Sequence, residues 1–192
     1  GHGGGIFLGG ASSEMVIDTS TISGNYTDMY GGGMYLDNGT QVTISSSTIS
    51  GNRSKQFTGG IMTLIPLNIY HSTVTANVGD DDNVMGQFVG GGLLATGTKS
   101  VVFVDHSIIA GNADKGSPDS NDCLNTMANT VSSLGYNLVG GKVYCSSFNT
   151  SKGDIIGADP QLKPLGDYGG PTMTHALLWG SPARDNGDSA FM

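Results

Sequence analysis

The chain has 192 residues, 32 of them glycine, with only 12% charged residues, a net charge of −8 and a sequence pI near 4.5. Its eight basic residues are scattered, which excludes a nucleic-acid partner, because phosphate binding needs clustered Lys and Arg. The glycines follow no Gly-X-Y period, which excludes collagen, and no apolar run reaches 18 residues, which excludes insertion through a transmembrane helix.

In chain order, the same pattern is written four times: a glycine cluster, an apolar strand, then a Ser/Thr-rich strand ending in Asn. The copies occupy residues 3–25, 31–52, 59–77 and 90–112, and their terminal residues Asn25, Asn52, Asn77 and Asn112 lie 27, 25 and 35 positions apart. A repeat of this length with β-type content marks a solenoid in which each copy is one coil. The chain opens inside a repeat, at Gly1-His2-Gly3-Gly4, so a trimmed or processed piece of something longer is expected; no signal peptide is recognisable in these residues. The Asn-x-Ser/Thr matches at Asn25, Asn38, Asn52 and Asn149 read as chance in so Asn- and Ser/Thr-rich a chain.

The second copy shows the pattern most cleanly. Gly31-Gly32-Gly33 permits backbone that a Cβ would forbid. Met34-Tyr35-Leu36 reads as a strand and Asp37-Asn38-Gly39 as a turn. Val42-Thr43-Ile44-Ser45 alternates, so Val42 and Ile44 point inward; Ser46-Ser47 bends, and Ile49 points inward again. Strands of three to five residues do not survive alone, but stacked coils pair each strand with its equivalents about 4.8 Å away. The expected fold is all-β: a right-handed, single-stranded parallel β-helix with a loop-rich C-terminal cap. Interior rows of Ile17, Ile44, Ile69, Val104 and of Ile22, Ile49, Val74, Ile109 are expected. At about 25 residues per coil the chain would hold six or seven coils, with coils over 1–152 and a cap over 153–192 in the same domain. The four terminal Asn residues should stack as a structural ladder, since Asn tolerates left-handed corners and amides bond along an axis.

Insertions in a solenoid fall on loops. The insertion after Asn77 contains Asp80-Asp81-Asp82-Asn83, hard oxygen ligands in a Gly-flanked loop; Ca²⁺ is the cofactor it would take, although its spacing is not that of an EF-hand. A solvated acidic loop is the plain alternative. The polar stretch after Asn112 carries Asp114, Asp119 and Asp122. His71 and His106 each precede their coil-ending Asn by six residues and should stack, with Tyr70 and Asp105 as stacked neighbours. Such a Tyr-His-Asp-His cluster is a candidate for acid–base catalysis or metal binding. The equivalent positions Thr19 and Ser46 favour a general polar bend instead. Tyr30, Tyr35, Phe57, Tyr70 and Phe88 would give sugar-stacking platforms where they face outward; core packing is the competing reading. Cys123 and Cys145 either close a modest loop or remain two thiols, and the polar composition favours an extracytoplasmic disulfide.

The C-terminal part carries the most specific motifs. It reads Asp122-Cys123, Gly135-Tyr136-Asn137-Leu138-Val139-Gly140, Cys145, then Gly153-Asp154-Ile155-Ile156-Gly157-Ala158-Asp159-Pro160. It closes with Asp167-Tyr168-Gly169-Gly170-Pro171-Thr172-Met173-Thr174-His175-Ala176-Leu177-Leu178 and Gly180-Ser181-Pro182-Ala183-Arg184-Asp185. This resembles the bacterial choice-of-anchor Q surface-protein domain, and the repeats resemble those of pectin-lyase-like and polymorphic outer-membrane proteins. The resemblance covers the whole chain, weakly in the repeats and strongly from residue 101. It implies a secreted or surface-displayed protein, usually without an assigned activity, in which Cys123 and Cys145 pair. Against that pattern, these residues end at Met192 with no sorting or anchoring tail, so truncation or release is expected. Residues 153–192 are expected to cap the C-terminal end, with Leu177, Leu178 and Trp179 lying over the open apolar interior and Arg184, Asp185, Asp188 and His175 as cap residues.

The Asn-Thr-Asp and Arg-Ile-Lys patterns of polygalacturonases, the Gly-x-Ser-x-Gly elbow and the His-Glu-x-x-His zinc motif are absent. The leading expectation is a module outside the cell that binds a polysaccharide or another extracellular surface ligand, as a monomer or as part of a longer chain. An acidic surface repels polyuronates unless Ca²⁺ bridges them. The alternatives are a polysaccharide- or ester-active hydrolase or lyase, working through the acidic loop or the histidines, and a structural spacer.

Overall fold

A computed structural model describes residues 1–11, 13–84, 90–117, 122–126, 131–141, 144–145 and 147–188. Within them the first turn is β1 (Ile6–Gly9), β2 (Glu14–Asp18), β3 (Thr21–Ser23) and β4 (Tyr26–Thr27). The second is β5 (Met34–Asn38), β6 (Gln41–Ser45), β7 (Thr48–Ser50) and β8 (Arg53–Ser54). The third is β9 (Ile61–Thr63), β10 (Leu67–Tyr70), β11 (Thr73–Thr75) and β12 (Val78–Gly79). The fourth is β13 (Leu93–Ala95), β14 (Val102–Asp105), β15 (Ile108–Ile109) and β16 (Ala113–Asp114). A partial fifth turn holds β17 (Cys123–Asn125), β18 (Val131–Gly135) and β19 (Leu138–Val139), and a short 3-10 turn leads to β20 (Ile155–Ile156).

Equivalent strands pair in parallel, turn on turn, giving four sheets: β1-β5-β9-β13-β17, β2-β6-β10-β14-β18, β3-β7-β11-β15-β19-β20 and β4-β8-β12-β16. This is a parallel β-helix. Its four full turns among the described residues fall short of the six or seven expected. The third Asn-to-Asn interval is 35 residues long, and β20 (Ile155–Ile156) still pairs with β19 in the third sheet.

The interior follows from alternation. Met34, Leu36, Val42, Ile44 and Ile49 are fully buried, and both expected rows pair in register: Ile17 with Ile44, Ile69 and Val104, and Ile22 with Ile49, Val74 and Ile109. Tyr35, between Met34 and Leu36, points the other way and joins a second apolar cluster with Met62, Leu94 and Leu124. Two corners need left-handed backbone. Between the second and third sheets stand Thr19, Ser46, His71, His106 and Tyr136, at φ of 47°, 47°, 47°, 45° and 53°. Between the third and fourth stand Gly24, Gly51, Ala76 and Gly111. Gly32 is required by close approach, since a Cβ there would lie 2.4 Å from the Gly59 carbonyl oxygen.

Two polar ladders run through the stack. The Oδ1 of each Asn accepts both the backbone N–H and the Nδ2–H of the Asn one turn earlier, at 2.9–3.1 Å, from Asn25 through Asn52 and Asn77 to Asn112. The Nδ2 groups also donate to the carbonyls of Ile22, Ile49 and Val74. The last acceptor is Asp122, whose Oδ1 takes both Asn112 donors at 2.8 and 2.9 Å. Burial pushes the Asp122 carboxyl up, against the lowering effect of those donors and of the Gly141 N–H. At the neighbouring corner the ladder is Ser47, Ser72, Ser107, Asn137 and finally Asp154. Each ladder thus ends on a buried Asp side chain, whose Oδ1 accepts the last donors of the stack.

The Cys123–Cys145 disulfide joins β17 to residue 145, with Cα atoms 5.7 Å apart. Phe148, 6% exposed, belongs to the same core as Cys123, Val131 and Val139. Among the described residues no helix is long and apolar enough to cross a membrane.

Candidate functional site

Beyond β20 the chain makes a hairpin, with antiparallel bridges Leu162–Leu177 and Gly166–Thr174. The hairpin runs down the outer face of the third sheet towards its first strand. The Thr21 hydroxyl donates to the Met173 carbonyl at 2.6 Å, Thr48 meets Thr174 at 3.2 Å, and Ser50 Oγ lies 2.8 Å from His175 Nε2. His175 Nδ1 is 2.7 Å from the Lys163 carbonyl, so Nδ1 is the donor and Nε2 accepts from Ser50 in the neutral ring. This cover explains why the outward residues Thr48 and Ser50 are buried.

Two tight turns follow, closed by Ser181 N–H to the Leu178 carbonyl and Arg184 N–H to the Ser181 carbonyl. Ser181 is buried and its hydroxyl donates to the Pro160 carbonyl at 2.6 Å, which pins the loop. Trp179 stands at its tip, 86% exposed. The Arg184 guanidinium sits 3.8 Å from the centroid of its ring and so covers one face, leaving the other to solvent. Lys163 Nζ lies 5.5 Å from the Tyr168 ring centroid. Lys163, Leu177, Leu178, Trp179 and Arg184 line a hollow of about 550 Å³. Leu177, Leu178 and Trp179, expected over the open end of the interior, are instead exposed and lie outside the core cluster, which takes Phe148 and Cys123 from the last turn. The run Leu178-Trp179-Gly180-Ser181-Pro182 carried a usable signal, since Gly-Ser-Pro after an aromatic residue is loop-tip chemistry.

The histidine corner assembles as a contact group. His71 and His106 rings are 5.3 Å apart, and His106 Nδ1 lies 2.8 Å from Asp105 Oδ1. Tyr70 is in register beside Asp105, one strand away. Tyr136 also joins, stacked on His106 at 5.1 Å. The sequence spacing concealed Tyr136, because a register shift between Val104 and Asp105 alters the alignment of the fifth turn. His106, Tyr136, Leu177 and Gly187 help to line a recess of about 150 Å³. The adjacent hydroxyl, Ser107, donates to the Asp105 carbonyl at 2.7 Å and supplies no free nucleophile. The Asp105–His106 pair can hold and pass a proton; the left-handed backbone shared with Thr19 and Ser46 makes the same residues bend positions.

The acidic loop is arranged differently from a cation cage. Asp81 is held by Arg53 at 2.5–3.0 Å from one turn and by Lys115 Nζ at 2.5 Å from another, and Asp82 lies 4.0 Å from Lys55. The Arg53 guanidinium, with Lys115, holds the Asp81 carboxyl below the usual carboxylate range. Asp80 is buried, and both Asp80 and Asn83 have positive φ. Among the described residues no group of three or more His, Cys, Asp or Glu side chains is placed to hold a metal ion.

The aromatic strip near the first turns consists of His2, Phe7, Tyr30, Tyr35 and Phe57. Its rings pack on one another: Phe7 is stacked on Tyr35 at 5.7 Å with planes 8° apart and His2 on Tyr30 at 5.1 Å and 7°, while Tyr30 and Phe57 lie tilted by 41° at 4.6 Å. Rings stacked along an axis spend their faces on each other. Burial, with the charge of Asp37, pushes the Tyr35 phenol up to about 12. Phe88 and Asp119 lie outside the described residues.

No family model, curated protein or solved structure matches this chain.

Proposed function

We propose that the chain is a secreted or surface-displayed β-helix module that binds carbohydrate, with Trp179 as its stacking platform. The observation that carries this reading is the Trp179 ring, 86% exposed on a pinned loop beside a hollow of about 550 Å³. With Leu177 and Leu178, also exposed in the same hollow, the indole forms a contiguous apolar patch of the kind that marks a binding site. A ring backed by Arg184 on one face is held flat for a planar, apolar sugar face on the other. The Ser/Thr-rich, charge-poor composition and the disulfide fit an oxidising compartment outside the cytoplasm. The resemblance to choice-of-anchor Q surface proteins points the same way.

Electrophoresis through gels cast with individual polysaccharides tests this. At least one glycan should retard the wild-type chain, and Trp179→Ala should weaken that binding about tenfold, a loss of ~1.4 kcal/mol. Equal retardation of Trp179→Ala and wild type would remove the platform from the account.

A second reading, a hydrolase or lyase acting on polysaccharides or esters, is favoured by the 2.8 Å Asp105–His106 pair beside its recess. Turnover of a polysaccharide or model ester that His106→Ala abolishes would establish it; unchanged turnover in that variant would dismiss this pair.

A further inference from the structure

We infer that the sugar taken by the Trp179 platform is anionic, carrying a carboxylate or a sulfate. This rests on the carbohydrate-binding reading above and specifies its ligand. The observation behind it is the placement of charge. The chain has a net charge of −8 and only eight basic residues, yet Lys163 and Arg184 line the same hollow as its single Trp. Arg184 meets Asp185 through Nε at 3.3 Å, and the Asp185 side chain is 86% exposed, so this pair is weak and open to exchange. A guanidinium offers five donors in a planar fork, which matches a carboxylate or sulfate side-on while its face stays on the indole. The Lys163 ammonium, resting on the Tyr168 ring, supplies a second positive charge on the rim of the same hollow. Leu177 and Leu178 give the hollow an apolar lining against which a sugar's C–H face can pack.

Two electrostatic effects oppose each other here, and salt separates them. The whole-molecule charge repels an anionic polymer, so an encounter governed by it would strengthen as salt rises. Pairing with Lys163 and Arg184 weakens as salt rises, because the groups are exposed and screened within about 10 Å. Binding at this hollow is therefore expected to weaken with salt despite the acidic chain.

The test measures affinity for a neutral galactan, a sulfated galactan and polygalacturonate, at low and high salt, with chelator present so that Ca²⁺ cannot bridge the anions. Three chains are compared: wild type, Lys163→Gln and Trp179→Ala. Lys163→Gln leaves the Arg184–Trp179 stack in place, which separates loss of charge from loss of the ring. At least one anionic glycan should bind about tenfold tighter than the neutral one, and more weakly at high salt. Lys163→Gln should lower the anionic affinity several-fold and so narrow the ratio of anionic to neutral affinity. A preference for the sulfated galactan or for polygalacturonate identifies which anion the fork accepts. Neutral galactan binding as tightly as both anions would overturn the inference while leaving the carbohydrate reading intact. So would an anionic preference untouched by Lys163→Gln. If neither anionic glycan is bound, the inference falls; if Trp179→Ala binds as wild type does, both fall.

Discussion

At the scale of single residues, stability is concentrated in side chains that serve two turns at once. Asn77 accepts two hydrogen bonds from Asn52 and donates to Asn112 and to the Ile49 carbonyl, all in the interior. Truncation at Asn77 strands buried donors and acceptors on both sides, so Asn77→Ala is expected to cost about 3 kcal/mol in urea unfolding. An unchanged midpoint would show that the ladder contributes nothing. Asp81 behaves in the opposite medium, near the surface. Its folded pKa lies below the unfolded value, so its contribution is present above the ordinary carboxylate range and is lost as pH falls through the folded value. Asp81→Asn should thus be less stable than wild type at neutral pH, with the gap closing in acid; a gap that persists in acid would contradict the pairing with Arg53 and Lys115. The Asn ladder was legible from sequence because the four residues recur in one frame. The ends of both ladders were not. Asp122 follows Asn112 by only 10 positions and Asp154 follows Asn137 by 17, so neither sits at the repeat distance.

At the scale of elements, the coil corners and the C-terminal hairpin differ in how they are secured. The third-to-fourth corner uses glycine in three turns and Ala76 in one, at φ 56°. Left-handed backbone costs a Cβ residue ~1–2 kcal/mol, partly offset by the extra unfolded-state freedom of glycine, so Ala76→Gly should gain about 1 kcal/mol. A loss of stability in that variant would mean the Ala76 methyl packs better than the corner geometry implies. The disulfide spans 22 residues, and its reduction should cost about 3 kcal/mol, read as a lower urea midpoint with reductant. The hairpin is held to the coils through hydroxyls and one imidazole, a thinner attachment than a shared core. Its path was hidden from sequence because Thr21, Thr48 and Ser50 read as ordinary outward strand residues. Only the folded chain shows that Met173, Thr174 and His175 cover them.

At the scale of the whole molecule, a periodic scaffold carries an aperiodic site. The repeat dictates the inward rows, the corners and the parallel pairing, and these were readable because each position is written several times. The hollow at Trp179 is written once, on loops after the last coil, so no periodicity could announce it. Of the aromatic residues that sequence did single out, Tyr30 and Tyr35 prove to be stacked on each other, Phe57 lies tilted against Tyr30, Tyr70 stands in register beside Asp105, and Phe88 lies outside the described residues. The histidine corner is intermediate: its column was predictable, while its contact with the end of the chain through Gly187 and Asp188 was not. The coil therefore carries the proposed site without forming it, and on that proposal changes in the coil interior should alter stability without altering ligand choice. The central claim, that ligand docks on the exposed indole, has a direct optical probe, because Trp179 is the only Trp in the chain. Titration with a retained glycan should shift Trp179 emission to shorter wavelength and protect it from a soluble quencher, saturably and with the affinity measured by retardation. Saturating glycan that leaves both the emission and the quenching of Trp179 unchanged would contradict the account.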